Sequence, residues 1–276
     1  MKVPFVKYQG AGNDFVLIDC CRPGVLLSSD LGALARFLCD RHYGIGGDGL
    51  LLVLDSTVAD YRMRIFNADG SEPAMCGNGI RCLVDYVFKC RGALSALAIE
   101  TMDSILQCRH GGDQIAVQLG VPAIVHWPAK LAEGSAFVVD TGVPHAVLFV
   151  DDLDALDVAI QGRKIRFHAL FSPHGVNVNF VRPDGKGGLC LRTYERGVEG
   201  ETLACGTGAA AAAFVAATLQ STPSLVHVAM RSPFSGDLST VYTRNLSFLC
   251  SDNGGGGRSV EMFGRAEKVF EGWIDL

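Results

Sequence analysis

Two short stretches, CGNG at residues 76–79 and CGTG at residues 205–208, decide how the rest of this sequence is interpreted. Each follows a turn rich in glycine and acidic residues, and each opens a long apolar stretch. The second lies 129 positions after the first, just under half of the 276 residues. A motif repeated at that distance predicts a chain built from two homologous halves.

Two other landmarks recur at nearly the same offset and in the same order. GNDFVL at 12–17 corresponds to GVPHAVL at 142–148, and GGDGL at 46–50 corresponds to GVNVN at 175–179. Chance alignment of glycine-rich loops is the alternative, but three ordered matches favour a duplication. Two like domains facing each other across a pseudo-twofold axis would put equivalent residues on opposite walls of one cleft.

We therefore predict an N-terminal domain at 1–122 and a C-terminal domain at 123–276, each carrying one CGxG motif, with the last strands able to cross back. Periodicity predicts a helix that begins near Asp30, and we expect a linker at 121–134. The other predicted helices lie at 77–89 and 207–219, and the predicted strands at 3–8, 15–18, 50–54, 61–66, 97–101, 105–109, 114–119, 136–140, 146–150, 176–181 and 189–194, with short strands in the remaining sequence.

Composition argues against several classes of function. The net charge of −5 and the lack of a Lys/Arg cluster argue against a nucleic-acid or anionic-membrane partner. The first ten residues contain no apolar core of a signal peptide. The longest apolar run, 206–219, is shorter than the roughly 20 residues that cross a bilayer. We therefore expect a soluble, cytoplasmic protein.

The motifs for metals and cofactors are weak. None of the ten cysteines has C-x-x-C spacing, which argues against a zinc site. The stretch 44–49 matches the dinucleotide pattern GxGxxG, but it leads into an apolar strand, whereas a Rossmann turn opens a helix. We expect neither a metal nor a cofactor, and we expect most of the thiols to pack as small core residues.

Cys76 and Cys205 differ from the other cysteines because each lies where a loop becomes a helix. The unpaired N–H groups and the dipole of a helix start favour a thiolate, and the neighbouring glycines let a bound anion approach the backbone. Two such residues on symmetric walls suggest that one thiolate removes a proton from a carbon while the opposite thiol returns one. That reaction inverts a stereocentre without a cofactor.

Six polar side chains complete the predicted site, and the repeat assigns them to one cleft: Asn13, Asn67, His145, Asn177, Glu195 and Arg196. Arg196 could hold a carboxylate through a bidentate pair. Taken singly, each asparagine fits a turn or capping role better.

The sequence resembles the diaminopimelate epimerase family from end to end. The matching stretches are GAGNDFVLID (10–19), RHYGIGGDG (41–49), FNADGSEPAMCGNGIRC (66–82), GVPHAVLFV (142–150), GVNVNFV (175–181), YERG (194–197) and GETLACGTGAAAA (200–212). The resemblance implies an α+β fold of two homologous β-roll or barrel-like domains, each with a central helix, and commonly a homodimer. It implies cofactor-independent interconversion of LL- and meso-2,6-diaminopimelate, a step of lysine and peptidoglycan precursor biosynthesis.

By the same resemblance, Cys76 and Cys205 would be the two catalytic acid/bases, with His145 paired to the first and Glu195 to the second. The positions that would bind the substrate are Asn13, Asn67, Gly77, Asn78, Asn177, Glu195, Arg196, Gly206 and Thr207. The backbone N–H groups of the Gly77-Asn78 and Gly206-Thr207 pairs would hold the carboxylate at the reacting carbon and stabilise the carbanion.

The sequence departs from the family at two places. Val143 stands where the family usually has an asparagine that contacts the distal end of the substrate, and losing that hydrogen bond could cost about 1.5–3 kcal/mol. The turn 195–202 is one residue longer than the family pattern. These departures raise the alternative of an amino-acid racemase of relaxed specificity, for example toward glutamate. A Cys76–His145 hydrolase and a non-enzymatic binding module are the remaining alternatives.

Overall fold

A computed structural model describes residues 2–25, 29–92, 95–219, 224–231, 245–252 and 257–276. The chain divides into two compact units, which we call unit 1 and unit 2. Unit 1 comprises Met1–Val117 and Gly264–Leu276, and unit 2 comprises Gln118–Phe263. The chain therefore leaves unit 1 and returns to it.

The elements of unit 1 follow one another in a simple order. They are β1 (Lys2–Gly10), β2 (Asn13–Asp19), α1 (Leu31–Cys39), β3 (Gly49–Leu54), β4 (Tyr61–Asn67), α2 (Gly77–Arg91), β5 (Ala96–Glu100), β6 (Ile105–Gly111) and β7 (Gln114–Gly120), which runs on into unit 2.

Unit 2 repeats that order with two additional strands, one at its start and one directly before its second helix. It contains β8 (Ala123–Leu131), β9 (Gly134–Asp140), β10 (Pro144–Phe149), α3 (Val158–Arg166), β11 (Asn177–Pro183), β12 (Leu189–Glu195), β13 (Gly200–Thr202), α4 (Gly206–Leu219), β14 (Ser224–Met230), β15 (Asn245–Asp252) and β16 (Arg258–Gly264). The chain then returns to unit 1 as β17 (Glu267–Asp275), which pairs antiparallel with β1.

Strand pairing follows the same succession in both units. In unit 1, β1–β2 is antiparallel, β2–β3 parallel, β3–β4 antiparallel, β4–β5 parallel, and β5–β6–β7 antiparallel. In unit 2, β9–β10 is antiparallel, β10–β11 parallel, β11–β12 antiparallel, β12–β14 parallel, and β14–β15–β16 antiparallel. The predicted fold class, α+β with two homologous domains, is confirmed.

Each unit has one helix that is buried nearly all round, α2 in unit 1 and α4 in unit 2. A helix without a polar face must lie in a core. In unit 1 the strands β2 and β3 are therefore buried on both faces, with Val16 and Leu50 toward α1 and Leu51 toward Gly79 of α2. The central helix predicted for each domain is present in both units.

Two sequence predictions need correction. The expected linker at 121–134 is wrong, because β8 occupies most of it and pairs with β9. Its register shifts twice and it contains Pro128, so it lacks the regular alternation by which strands are recognised. The helix α3 was not predicted, although it takes the place in unit 2 that α1 takes in unit 1.

Candidate active site

Cys76 is the N-cap residue of α2. Its backbone is extended, with φ −139° and ψ 115°, and its Sγ accepts a hydrogen bond from the Gly79 N–H at 3.4 Å. Asn13 Oδ1, at the start of β2, lies 3.9 Å from the same sulfur. The N–H groups of the helix start favour the thiolate at this position, whereas the Asn13 oxygen accepts a hydrogen bond from the thiol form.

Asn13 is held in place by a charged network in unit 1. Its Nδ2 donates to Asp48 at 2.8 Å, and Arg41 bridges Asp48 and Asp14 at 2.9 Å each. Burial opposes ionisation of Asp14, but hydrogen bonds from Arg41 and Lys7 lower its pKa to about 2. Asp14 therefore stays charged, whereas burial and the charge of Asp14 raise the pKa of Asp48. The network fixes the amide beside the Cys76 thiol.

Cys205 precedes α4 in the same way. Its buried Sγ accepts a hydrogen bond from the Gly208 N–H at 3.4 Å and lies 3.5 Å from Thr207 Oγ1. Burial raises the pKa of this thiol above its usual range, and the negative charge of Glu195 raises it further. Burial also raises the pKa of Glu195, although Thr202 donates to it at 2.6 Å.

His145 is fully buried, with no exposed surface. Asn179 donates to its Nδ1 at 3.1 Å, so the ring proton lies on Nε2, and Thr193 fixes the asparagine from the other side at 3.1 Å. Burial and the nearby charge of Arg196 lower the pKa of His145 to about 3. Among the described residues Nε2 has no hydrogen-bond partner, which gives unit 2 a buried, neutral N–H donor.

The other predicted binding residues lie at strand ends. The Arg196 backbone N–H donates to Asn177 Oδ1 at 2.8 Å, which ties the start of β11 to the turn after β12. Asn67, at the end of β4, bonds Ser71 through its side chain at 2.9 Å and through its backbone at 2.8 Å. The local role of Asn67 is therefore that of a turn residue.

The predicted carboxylate cradles coincide with the two helix starts. Gly77 and Asn78 open α2, Gly206 and Thr207 open α4, and the first N–H groups of a helix have no intrahelical partner. Such a start is suited to holding an anion.

Both units contain an arginine–glutamate ion pair that sequence reasoning missed. Arg64 on β4 holds Glu72 through two bonds of 2.7 and 2.8 Å, and Arg192 on β12 holds Glu201 through two bonds of the same lengths. Each glutamate lies four residues before the capping cysteine. Each pair, which we call a loop clamp, therefore fixes the loop that leads to the thiol. The shared spacing from glutamate to cysteine was the available signal.

The segment from the end of β12 at Glu195 to Glu201 is one residue longer than the segment from the end of β4 at Asn67 to Glu72. Glu199 adopts a left-handed φ of 55°, is anchored by Arg166 at 3.0 Å, and its N–H donates to Glu195 O at 2.9 Å. The insertion thus lies upstream of the clamp, in the hairpin between β12 and β13. The segment from Glu201 to Cys205 keeps the length of its counterpart in unit 1.

Strand register also identifies the counterpart of Val143. Phe15 pairs with Gly49 in unit 1 as His145 pairs with Asn177 in unit 2. Two residues earlier, Val143 therefore occupies the place of Asn13. The unit 1 position carries an amide beside a cysteine, and the unit 2 position carries an apolar side chain.

The predicted site residues are divided between the units. Unit 1 contains Asn13, Asn67, Cys76, Gly77 and Asn78; unit 2 contains His145, Asn177, Glu195, Arg196, Cys205, Gly206 and Thr207. The interaction of Cys205 with Glu195 lies within unit 2. The pairing of His145 with Cys76 stays a prediction.

Two features are absent from the described residues. No helix in these ranges combines the length and apolar character required to cross a membrane. In the same ranges, no group of three or more His, Cys, Asp or Glu side chains is placed to hold a metal ion.

Known proteins match the whole chain. A family model described as diaminopimelate epimerase matches residues 5–125 and 137–238. A diaminopimelate epimerase of Archaeoglobus fulgidus is 40% identical, with 100% of this chain and 98% of the relative covered. One of Aquifex aeolicus is 38% identical over 97% of this chain and 96% of the relative.

Solved structures share the fold at much lower identity. A phenazine biosynthesis protein of the PhzF family from Bacillus anthracis has a TM-score of 0.77 at 17% identity, with both chains fully covered. A hydroxyproline epimerase from Agrobacterium vitis has a TM-score of 0.68 at 15% identity, covering 100% of this chain and 93% of the other.

Proposed function

The chain belongs to the diaminopimelate epimerase family, and from this premise we propose that it interconverts LL- and meso-2,6-diaminopimelate by proton transfer between two cysteines. The observation that carries the proposal is the repeated geometry of Cys76 and Cys205. Each sulfur caps a buried helix and accepts the N–H three residues later at 3.4 Å. A duplicated thiol of this kind suits a reaction that needs one base and one acid.

In the proposed mechanism, one cysteine removes the α-proton and the other protonates the opposite face of the same carbon. The negative charge that develops spreads into the α-carboxylate, where N–H groups of Gly77-Asn78 and Gly206-Thr207 meet it. Glu195 acts on Cys205, and His145 supplies an N–H donor that stays neutral at physiological pH. Four side chains hold the rest of the substrate: Asn13, Asn67, Asn177 and Arg196.

We further propose the setting of this reaction. The name of the relatives supports a step in lysine and peptidoglycan precursor biosynthesis, and we place this small-molecule reaction in the cytoplasm. A homodimer is proposed from the family resemblance and is tested by the mass of the protein in solution. No cofactor is required by the two-thiol reaction.

Deuterium exchange tests the proposed function. The protein is incubated with LL-diaminopimelate in D2O, and deuterium at the α-carbon is followed by NMR. We expect exchange and epimerisation to fall by at least about a hundredfold in Cys76→Ala and in Cys205→Ala. Cys90→Ser, an exposed cysteine on α2, is the matched control and should keep activity.

The other outcomes of this experiment favour different functions. Exchange that survives both cysteine changes would exclude the two-base reaction. Absence of exchange with substrate binding intact would favour a binding module. A covalent thioester on Cys76 would favour the hydrolase.

A second candidate, an amino-acid racemase of relaxed specificity, rests on Val143. Its place corresponds to Asn13, and it offers no hydrogen bond to a polar substrate end. We expect Val143→Asn to raise the preference for diaminopimelate over glutamate by about tenfold or more, the equivalent of one hydrogen bond to a charged group. If neither the wild type nor Val143→Asn racemises glutamate, the second candidate is wrong and the first is unaffected.

A further inference from the structure

Arg81 is a completely buried arginine on the helix that carries Cys76. Its Nη1 donates to the Gly77 carbonyl at 2.9 Å, and its Nη2 donates to Asn78 Oδ1 at 2.8 Å. The guanidinium is therefore folded back onto the first turn of α2, against the two residues of the proposed carboxylate cradle. Neither the sequence motifs nor the proposed mechanism gave this residue a role.

The charge of Arg81 acts on the Cys76 sulfur. Burial lowers the pKa of Arg81, while negative charge at Cys82 and Cys76 raises it, so the arginine and the catalytic thiol interact electrostatically. Guanidinium stays protonated in proteins, and an interaction between charges is strong where water is excluded. The full positive charge adds to the partial charge of about +0.5 at the helix start.

Unit 2 has no such cation at the equivalent place. The residue 129 positions after Arg81 is Ala210, in the alanine-rich α4. The charged neighbour that interacts directly with Cys205 is the Glu195 carboxylate. The two helix starts therefore have the same backbone geometry and opposite side-chain charge.

We propose that Arg81 keeps Cys76 as the thiolate of the resting enzyme and that Cys205 rests as the thiol, so that the resting enzyme is ready for the isomer whose α-proton faces Cys76. The opposite isomer reacts in reverse, from the state with a Cys76 thiol and a Cys205 thiolate. Arg81 is thus a positioning residue, because it acts through Cys76 and the Gly77-Asn78 cradle. The assignment deepens the proposed function and rests on it.

The protons balance over one turnover. The substrate α-proton passes to the Cys76 thiolate, and the Cys205 thiol gives its proton to the opposite face of the carbon. The product state holds a Cys76 thiol and a Cys205 thiolate beside Glu195. Loss of one proton from Cys76 to solvent and gain of one by Cys205 restore the resting state.

Other ionisable groups near the two sulfurs do not reverse the assignment of the thiolate to Cys76 and the thiol to Cys205. Around Cys76 they are the Cys82 thiol on the same helix and Asp48 behind Asn13; Tyr8 and His110 bond Asp85, two turns farther along α2. For Cys205 it is Glu195, while the charge of Arg196 acts on the neutral His145. Arg196 is half-buried, whereas Glu195 interacts with the sulfur itself.

Alkylation by iodoacetamide, read for each cysteine by tandem mass spectrometry over a range of pH, tests the proposal without substrate. We expect the pH midpoint of Cys76 in the wild type to lie at least about one unit below that of Cys205. Arg81→Met should raise the Cys76 midpoint by about one unit, a roughly tenfold slower reaction at pH 7, and Arg81→Lys should restore most of it. Lys89→Met, the loss of one cation at the far end of α2, should leave the Cys76 midpoint unchanged.

The proposal is overturned if the wild-type midpoints coincide or are reversed, or if Arg81→Met and Lys89→Met give the same Cys76 midpoint. If Arg81→Met does not fold, the wild-type comparison decides, together with Glu195→Gln, which should lower the Cys205 midpoint and leave that of Cys76. Because no substrate is present, failure of the epimerase assay and failure of this proposal are separate results.

Discussion

A buried imidazole that must stay neutral makes the stability of unit 2 depend on pH. The folded pKa of His145 is about 3, below the unfolded value of about 6.5. The contribution of His145 to the free energy of unfolding is therefore fully present above pH 6.5 and is lost as pH falls toward 3. Between pH 7 and pH 5 we expect the wild type to lose about 2 kcal/mol of unfolding free energy through this group.

Urea denaturation at the two pH values measures this loss, and the His145→Phe variant should lack it whatever its absolute stability. The exposed His227 provides the control, because His227→Gln should keep the wild-type pH dependence. Equal pH dependence in wild type and His145→Phe would contradict the prediction.

Gly208 is a residue at which the usual effect of alanine in a helix should change sign. Alanine normally stabilises a helix by about 1 kcal/mol relative to glycine. Here a Cβ would collide with Asn179 Oδ1 and lie 3.2 Å from the Cys205 sulfur. We expect Gly208→Ala to destabilise by about 1–3 kcal/mol and to reduce activity, as measured by urea denaturation and turnover. Gly200→Ala, with open space around it, should change stability by less than about 0.5 kcal/mol.

At the scale of elements, the two loop clamps offer a comparison of one geometry at two degrees of burial. The side chains of Arg192 and Glu201 are 9% and 10% exposed, whereas those of Arg64 and Glu72 are 33% and 24% exposed. Removing one partner of a buried pair leaves an uncompensated charge, which lowers the free energy of unfolding by about 3 kcal/mol or more. When the pair is partly exposed, water solvates the remaining charge, and the free energy of unfolding falls by about 1 kcal/mol or less.

We therefore expect Glu201→Gln to cost several times more unfolding free energy than Glu72→Gln, each measured by urea denaturation. Hydrogen exchange should locate the loss of amide protection at the start of α4 for Glu201→Gln and at the start of α2 for Glu72→Gln. Equal costs would mean that burial does not set the strength of these pairs.

The elements also show what sequence patterns can and cannot reveal. Asp30 and the apolar spacing after it predicted α1, and that prediction is confirmed. The sequence did not predict β8, because its residues are largely exposed and show no regular alternation of apolar and polar side chains. Their backbone groups nevertheless form hydrogen bonds with β9. The loop clamps were missed because an arginine on a strand and a glutamate in a loop meet only after folding.

Of the candidate site, the sequence predicted both cysteines at helix starts, and the structure has them there. It missed Arg81, since a charged residue inside a helix is expected on an exposed face. The longer turn left the exact placement of Glu195 and Arg196 undetermined by the sequence. The left-handed conformation of Glu199, which absorbs the extra residue, is a backbone property that the sequence pattern alone does not specify.

At the scale of the whole molecule, unit 1 depends on a strand far away in sequence. β17 pairs with β1 from Lys2 to Gln9, while β2 holds the other edge of β1. We expect deletion of residues 264–276 to remove hydrogen-exchange protection from β1 and to leave that of α4 unchanged, because unit 2 is contiguous from Gln118 to Phe263. Loss of protection in both units to the same extent would show that they fold as one.

That discontinuity imposes an order on synthesis. Residues 1–117 leave the ribosome first, but one edge of β1 stays open until residues 264–276 follow. At about 5–20 residues per second, translation of the intervening unit 2 takes on the order of ten seconds. During that interval unit 2 is being synthesised, and β1 presents an unpaired strand edge to which other chains can bind. The part of the protein that is made first is therefore the last to be finished.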